Sequence, residues 1–292
     1  MLPDYNNIVF ERLQATLLDE KSIRLTIARL DKIHPVLSGN KIFKLYYFIQ
    51  EALASSHKTV CTFGGAYSNH LVATAYACRE AGLKSIGYVR GDEGIQSHTI
   101  TACKGYGMEL RFIKRDEYYG LQAGMKPGPF ILIPEGGYHP TGAKGAALIM
   151  KSFAHLDASY ICTPVGTATT AAGLIQNRRD HEIVLIPVIK NMTDLEKRIY
   201  FLNSGNTTYQ PLVLDEYHFG GYAKKNGELL DFMNNLYNTF NLATDFVYTA
   251  KMMFAVFDRI KMDYFPRGSH IVCLHTGGLQ GNASLPSNSL IF

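Results

Sequence analysis

Polar and apolar positions alternate with a period of two along 22–30, and this predicts a β-strand. Short apolar runs rich in β-branched residues, at 58–63, 84–89, 108–113, 130–134, 159–164, 182–188 and 269–275, predict seven more. Helical spacing, or small-residue runs opened by hydroxyl or Asn residues, predicts helices from 41 onward and near 69–81, 96–106, 143–155, 192–203, 226–240 and 250–263. Strand–helix alternation of this kind is the pattern of mainly parallel sheets covered by helices, an α/β chain. Residues 1–22 read as an irregular arm. The stretch 118–129, rich in Gly and Pro, reads as a loop and the place where the chain crosses between two lobes.

Composition narrows the class. With 292 residues, 47% of them apolar, the chain can bury a large core. A net charge of +4 is modest and scattered, with one dense basic pair at Lys224-Lys225, which gives no footprint for nucleic acid. No run approaches the ~20 apolar residues of a membrane span, and Met1-Leu2-Pro3-Asp4-Tyr5 has no basic start or apolar signal core. Cys61, Cys78, Cys103, Cys162 and Cys273 are odd in number and widely spaced. That spacing suits neither a metal site nor a disulfide framework and fits buried thiols in the cytoplasm.

Candidate chemistry gathers where predicted strands run into predicted helices, the edge at which open α/β sheets bind ligands. In Ser38-Gly39-Asn40-Lys41-Ile42-Phe43-Lys44-Leu45 a turn becomes a helix at Lys41. A lysine there sits at the positive end of the backbone dipole, which disfavours its protonation. A neutral amine can form a Schiff base with an aldehyde such as pyridoxal phosphate. Taken alone, the pattern describes a solvated lysine at least as well. Gly166-Thr167-Ala168-Thr169-Thr170 offers backbone N–H groups and hydroxyls to an anion. It lacks the P-loop lysine and the Gly-x-Gly-x-x-Gly spacing, so it suits a phosphate monoester, or simply a threonine cap. Ser68-Asn69-His70, His275-Thr276-Gly277-Gly278 and Tyr248-Thr249-Ala250-Lys251 mark three further element ends.

In this order, Ser-Gly-Asn-Lys41-x-x-Lys44-Leu, Tyr67-Ser68-Asn69-His70, Pro134-Glu135-Gly136-Gly137, Gly166-Thr167-x-Thr169-Thr170, Val247-Tyr248-Thr249-x-Lys251 and His275-Thr276-Gly277-Gly278 resemble one family. It is the D-cysteine desulfhydrase and 1-aminocyclopropane-1-carboxylate deaminase family. The resemblance runs from about residue 22 to 280. It implies a two-lobed tryptophan-synthase β-like fold (fold type II), with residues 1–44 and 141–292 in a larger cofactor domain and 45–140 in a smaller inserted one. It also implies pyridoxal 5'-phosphate as cofactor, a small amino acid as substrate, and a homodimer. Carried over, Lys41 matches the Schiff-base lysine and Lys44 the motif's second lysine. Asn69 matches the residue beside the cofactor's ring hydroxyl, and Gly166, Thr167, Ala168, Thr169 and Thr170 match the phosphate cradle. Thr249 and Thr276 match cofactor-side positions. Ser68, Asn69, His70, Tyr222 and Tyr248 match substrate-side positions, with Lys41, Ser68 and Tyr248 in the chemistry. No metal is implied.

Two positions separate the family's activities. The deaminases typically carry Glu after the motif tyrosine and Leu before Gly-Gly, whereas the desulfhydrases carry hydroxyl residues. Here the residues are Thr249 and Thr276. A carboxylate beside the pyridine nitrogen keeps a proton there and strengthens the electron sink; a threonine does so far less. Expulsion of a thiol from the β carbon, D-cysteine to pyruvate, ammonia and sulfide, is therefore expected over ring opening of the cyclopropane. A same-fold racemase or dehydratase and a binding protein without turnover remain as alternatives. Tyr67, where many relatives have Gln, and Ala223-Lys224-Lys225, where the usual pattern is Gly-x-Pro, depart from the family.

Overall fold

The computed structural model describes residues 8–126 and 128–292. The chain runs β1 (Val9–Leu13), α1 (Thr16–Lys21), β2 (Arg24–Arg29), α2 (Lys41–Ala54), β3 (Thr59–Gly65), α3 (Asn69–Glu80), β4 (Lys84–Arg90), α4 (His98–Gly105), β5 (Glu109–Ile113), α5 (Arg115–Gly124) and β6 (Ile131–Ile133). It continues through α6 (Pro140–Ala146), β7 (Tyr160–Val165), α7 (Thr169–Gln176), β8 (Glu182–Pro187), α8 (Leu195–Leu202), β9 (Leu212–Val213), α9 (Gly227–Phe240), α10 (Thr249–Lys261) and β10 (His270–His275).

The strands form two sheets. One has six strands in the order β1-β2-β10-β7-β8-β9, and the other has four in the order β5-β4-β3-β6. Every pairing is parallel except β1 with β2. Central parallel strands are covered on both faces, so their sequences are continuously apolar rather than alternating. Ile183 to Ile186 on β8 and Ile271 to Leu274 on β10 have no exposed surface. β2 departs from the alternation expected of it: Leu25, Thr26, Ile27, Ala28 and Arg29 are all buried. The Arg29 guanidinium is matched there by Glu11 and Asp31, at 2.5 and 2.7 Å.

Two expectations are corrected. The region expected as an irregular arm contains β1 and α1 within its described part, because β1 adds an antiparallel edge to β2 through the register Val9–Leu13 against Arg29–Leu25. Residues 1–7 of that arm lie outside the described residues. The stretch 118–129 is not a simple loop: α5 runs through it to Gly124. Nor does the chain change sheets there, since β6 still pairs with β3 and the six-stranded sheet is rejoined only at β7. Tyr118 explains the helix. It is fully buried, against Phe63 at 5.7 Å between ring centroids, and its hydroxyl donates to Glu135.

Helix α2 is buried over most of its circumference, through Ile42, Phe43, Lys44, Leu45, Phe48, Ile49 and Ala52, with the expected Tyr46 and Tyr47 only half-buried. It packs on α6 and α3, and this double packing fixes its first turn. A β carbon at Gly145 would lie 2.1 Å from the Phe43 carbonyl oxygen, so glycine sets how closely α6 approaches α2. Among the described residues no helix is long and apolar enough to cross a membrane. All five cysteines are buried and free.

Gly145→Ala should destabilise the protein by about 3 kcal/mol, because backbone must move to admit a methyl group. The melting temperature should then fall by roughly 5 °C. Gly120→Ala, on the exposed face of α5 with open space around it, should instead hold or raise stability by about 0.5–1 kcal/mol. Equal melting points for the two variants would contradict this packing account.

Candidate active site

The site forms where β3, β7 and β10 end and α2 begins. Gly39 has φ +68°, and a β carbon on it would lie 1.9 Å from the Thr276 carbonyl oxygen. The Asn40 N–H donates to that same oxygen at 3.3 Å. The end of β10 and the start of α2 are thus held in direct backbone contact, with Lys41 opening the helix.

Lys41 Nζ donates to Asn40 Oδ1 at 2.7 Å, and Asn40 Nδ2 donates to Thr170 Oγ1 at 2.8 Å. One asparagine therefore links the amine to the loop that follows β7. Burial pushes Lys41 down to about 8, opposed by the nearby Asp245 carboxylate. Lys44, buried one turn on, donates to the Gly136 carbonyl at 3.3 Å. It lies well below the usual lysine range because of burial, and next because of the charge of Lys41.

The 166–170 loop turns through Ala168, whose φ of 66° is left-handed for a non-glycine residue and marks local strain. Thr167 Oγ1 and Thr169 Oγ1 are 3.0 Å apart, and Thr169 and Thr170 begin α7, whose first N–H groups have no partner within the helix. The Tyr248 ring lies against Gly166: a β carbon there would meet Cε1 at 3.0 Å and the hydroxyl at 3.2 Å. Tyr248 is half-buried and Tyr222 is 52% exposed, with ring centroids 6.0 Å apart at 73°. Burial, then Tyr222, raises Tyr248 well above the ordinary phenol range, so it is a neutral donor.

Ser68 caps α3, accepting from Leu71 N–H at 3.4 Å. Asn69 Oδ1 is buried with no partner among the described residues. Asn69 Nδ2 and Asp245 both border Gly278, so the ends of β3 and β10 meet at Asn69. His70 is 3% exposed and faces the sheet. Thr62 Oγ1 donates to the Ile133 carbonyl at 2.8 Å, so it accepts from His70 Nε2 at 2.9 Å and fixes the tautomer with the proton on Nε2. Burial, then Lys41 and Lys44, lowers His70 to about 3, and its Nδ1 has no partner among the described residues.

Thr249 is committed locally. Its hydroxyl donates to Asp245 Oδ1 at 2.7 Å and accepts from Asp245 N–H at 2.8 Å. Asp245 also accepts from the N–H groups of Val247, Tyr248 and Thr249. Thr276 is 7% exposed, with its carbonyl on Asn40. Sequence reasoning missed Asp245, although an Asp just before a helix start is a readable cap signal. It named Asn40 within a motif without a task, and gave none to Lys251. Nothing in the sequence signalled the Tyr118–Glu135 bond.

A family model described as pyridoxal-phosphate dependent enzyme matches residues 14–277. The chain belongs to that family. A relative from Thermotoga maritima, named a putative 1-aminocyclopropane-1-carboxylate deaminase, is 31% identical over 90% of this chain and 92% of its own length. A Rhizobium radiobacter protein named 1-aminocyclopropane-1-carboxylate deaminase is 23% identical over 83% and 82%. Among solved structures, an ACC deaminase homologue superposes with TM-score 0.78 and 26% identity, covering 94% of this chain and 90% of that one.

Pyridoxal phosphate is accordingly the cofactor, and the residues present fit it. The partnerless Asn69 Oδ1 can accept from a ring hydroxyl, the 166–170 loop can hold a phosphate monoester, and Lys41 is an amine that burial lowers to about 8.

Cofactor-free protein should take up pyridoxal phosphate faster as pH rises through about 8, by up to tenfold per pH unit below that midpoint, because only the neutral Lys41 amine attacks an aldehyde. Stopped-flow absorbance in the near-violet band reads this. A rate flat from pH 6 to 9 would remove Lys41 from the role. Lys41→Ala should abolish the band, while Lys44→Ala should keep part of it.

Proposed function

We propose that this pyridoxal-phosphate dependent enzyme catalyses β-elimination from a small amino acid, with D-cysteine going to pyruvate, ammonia and sulfide. The observation that carries this reading is the state of Thr249. It stands where the deaminases typically have Glu, and its one proton is already given to Asp245. Bonded to Asp245 as both donor and acceptor, this neutral hydroxyl offers no charge to hold a proton on a pyridine nitrogen as a carboxylate would, which leaves a weaker electron sink, enough to expel a thiolate but poorly suited to opening an unactivated ring.

The bound cofactor supplies the sink for charge at the α carbon. Lys41 would hold the cofactor, and its Nζ would act as the base that takes the substrate's α proton. Ser68 and the first N–H groups of α3 hold the carboxylate. Tyr248, kept neutral by burial and by Tyr222, would offer its hydroxyl as a hydrogen-bond donor to the sulfur, which leaves as a thiolate with the C–S electron pair. The C–H bond breaks, its electron pair forms the Cα–Cβ double bond, and the C–S bond breaks. Water then releases pyruvate and ammonia. Asn69, Lys44, Thr276 and the 166–170 loop act on the cofactor, and His70, turned toward Thr62, supports them from the sheet side.

Ring opening of 1-aminocyclopropane-1-carboxylate to 2-oxobutanoate and ammonia is the second reading, favoured by the names of the relatives. The proposal includes the two lobes, 45–140 against 1–44 with 141–292. It is supported by a chain that enters the four-stranded sheet after α2 and leaves it after β6. It also includes a cytoplasmic homodimer, which sedimentation of the purified protein tests.

Purified enzyme should release 2-oxo acid and ammonia from D-cysteine faster than from the cyclopropane amino acid. The opposite order replaces the first reading with the second, and an inverted α carbon without 2-oxo acid indicates a racemase. Thr249→Glu with Thr276→Leu should shift the ratio of kcat/KM toward the cyclopropane by about tenfold or more, the effect of a sink stronger by ~1.4 kcal/mol.

A further inference from the structure

Lys251 lies three residues beyond Tyr248 on α10 and has no exposed surface. Its Nζ donates to the His218 and Gly221 carbonyl oxygens, both at 2.8 Å. Burying an ammonium is unfavourable unless its donors are used. Burial pushes Lys251 down to about 8, opposed by Asp245.

The backbone it grips is unusual. Phe219, Gly220, Gly221 and Ala223 have φ of 51, 90, 121 and 55°, so four of five consecutive residues lie on the left-handed side. A segment so placed cannot extend a helix or a strand. Its own bonds are short-range: Gly221 N–H to His218 at 3.0 Å, Lys224 N–H to Gly221 at 3.1 Å, and Gly220 N–H to His218 Nδ1 at 2.9 Å. Phe219 anchors one end edge-on to Phe254 of α10, at 5.0 Å. The fifth residue is Tyr222, which reaches across to Tyr248.

We infer that Lys251 is a positioning residue: by holding His218 and Gly221 from within α10, it fixes Tyr222 against Tyr248, whose ring lies on Gly166 of the loop after β7. Helix α10 thus places one tyrosine directly, at its start, and the other through a buried clasp. Loss of the clasp leaves α10 and Tyr248 in place and lets 219–223 relax, so Tyr222 is released without disturbing the cofactor residues. The catalytic consequence rests on the reading that these tyrosines face the substrate; the clasp itself does not.

The chain contains no tryptophan, so Tyr222→Trp introduces a single emitter on the held segment. In the holoenzyme, adding Lys251→Met should move Trp emission to the red and raise its acrylamide quenching constant about twofold or more, with the cofactor band and far-UV dichroism unchanged. In kinetics with the accepted substrate, Lys251→Met should raise KM about tenfold with little change in kcat, and the Tyr222→Phe, Lys251→Met double variant should be no worse than the more impaired single variant. Unchanged quenching overturns the clasp, and strictly additive kinetic effects overturn its action through Tyr222. Should Lys251→Met fail to fold, Gly221→Ala disturbs the segment from the other side, since φ +121° disfavours a side chain and the added carbon would meet Lys190 Cβ at 3.4 Å. It must then show the same red shift, or the inference falls. If no tested amino acid is turned over, the proposed function fails while the fluorescence result still decides the clasp.

Discussion

The contact between Gly39 and the Thr276 carbonyl fixes the rest of the site. Lys41 can open α2 at the sheet edge only because the preceding turn lies directly on the end of β10, a separation that no side chain would permit. From that contact, Asn40 turns its amide oxygen toward Lys41 and its amide nitrogen toward Thr170, so the amine and the 166–170 loop share a frame. The same strand end brings Gly278 to Asn69 and Asp245. Elements more than two hundred residues apart in sequence thereby set one another's positions. Close backbone packing, not a long list of side-chain bonds, supplies the rigidity.

Electrostatics follows from that packing. Lys41 and Lys251 lie near the Asp245 carboxylate and Lys44 near Lys41, and burial lowers all three lysines. The same burial keeps His70 neutral, with Thr62 selecting its tautomer. Where charges cannot be hydrated, each must be neutralised or fully hydrogen-bonded. Lys251 has two of its three donors bonded to backbone carbonyls. Lys41, lowered to the same extent, has one side-chain acceptor, Asn40 Oδ1, which leaves its amine open to react. One physical condition therefore yields a reactive lysine at the start of α2 and a structural lysine within α10.

Much of this was legible in the sequence. Continuous β-branched runs gave the parallel strands of both sheets, because a strand covered on both faces has no polar side to show. Small and hydroxylated residues after those runs marked the loops at the ends of β3, β7 and β10, because only such residues leave backbone N–H groups open to a ligand. The start of α3 at Asn69 and Lys41 as the first residue of α2 were read directly from local pattern. These are properties of neighbours in the chain.

What only the tertiary structure decided depends on partners distant in sequence. β1 is a strand because β2 offers it an edge, and α5 is a helix because Tyr118 finds Phe63 and Glu135. The sheet that receives β6 could not be inferred from its three apolar residues. Thr249 was legible as a hydroxyl in place of a carboxylate, but not as one already bonded to Asp245. Lys251 looked like any helical lysine until the carbonyls of His218 and Gly221 were found within reach. Sequence period reports how a residue relates to its own element; where its donors and acceptors end is settled by whichever other elements the packed core brings beside it.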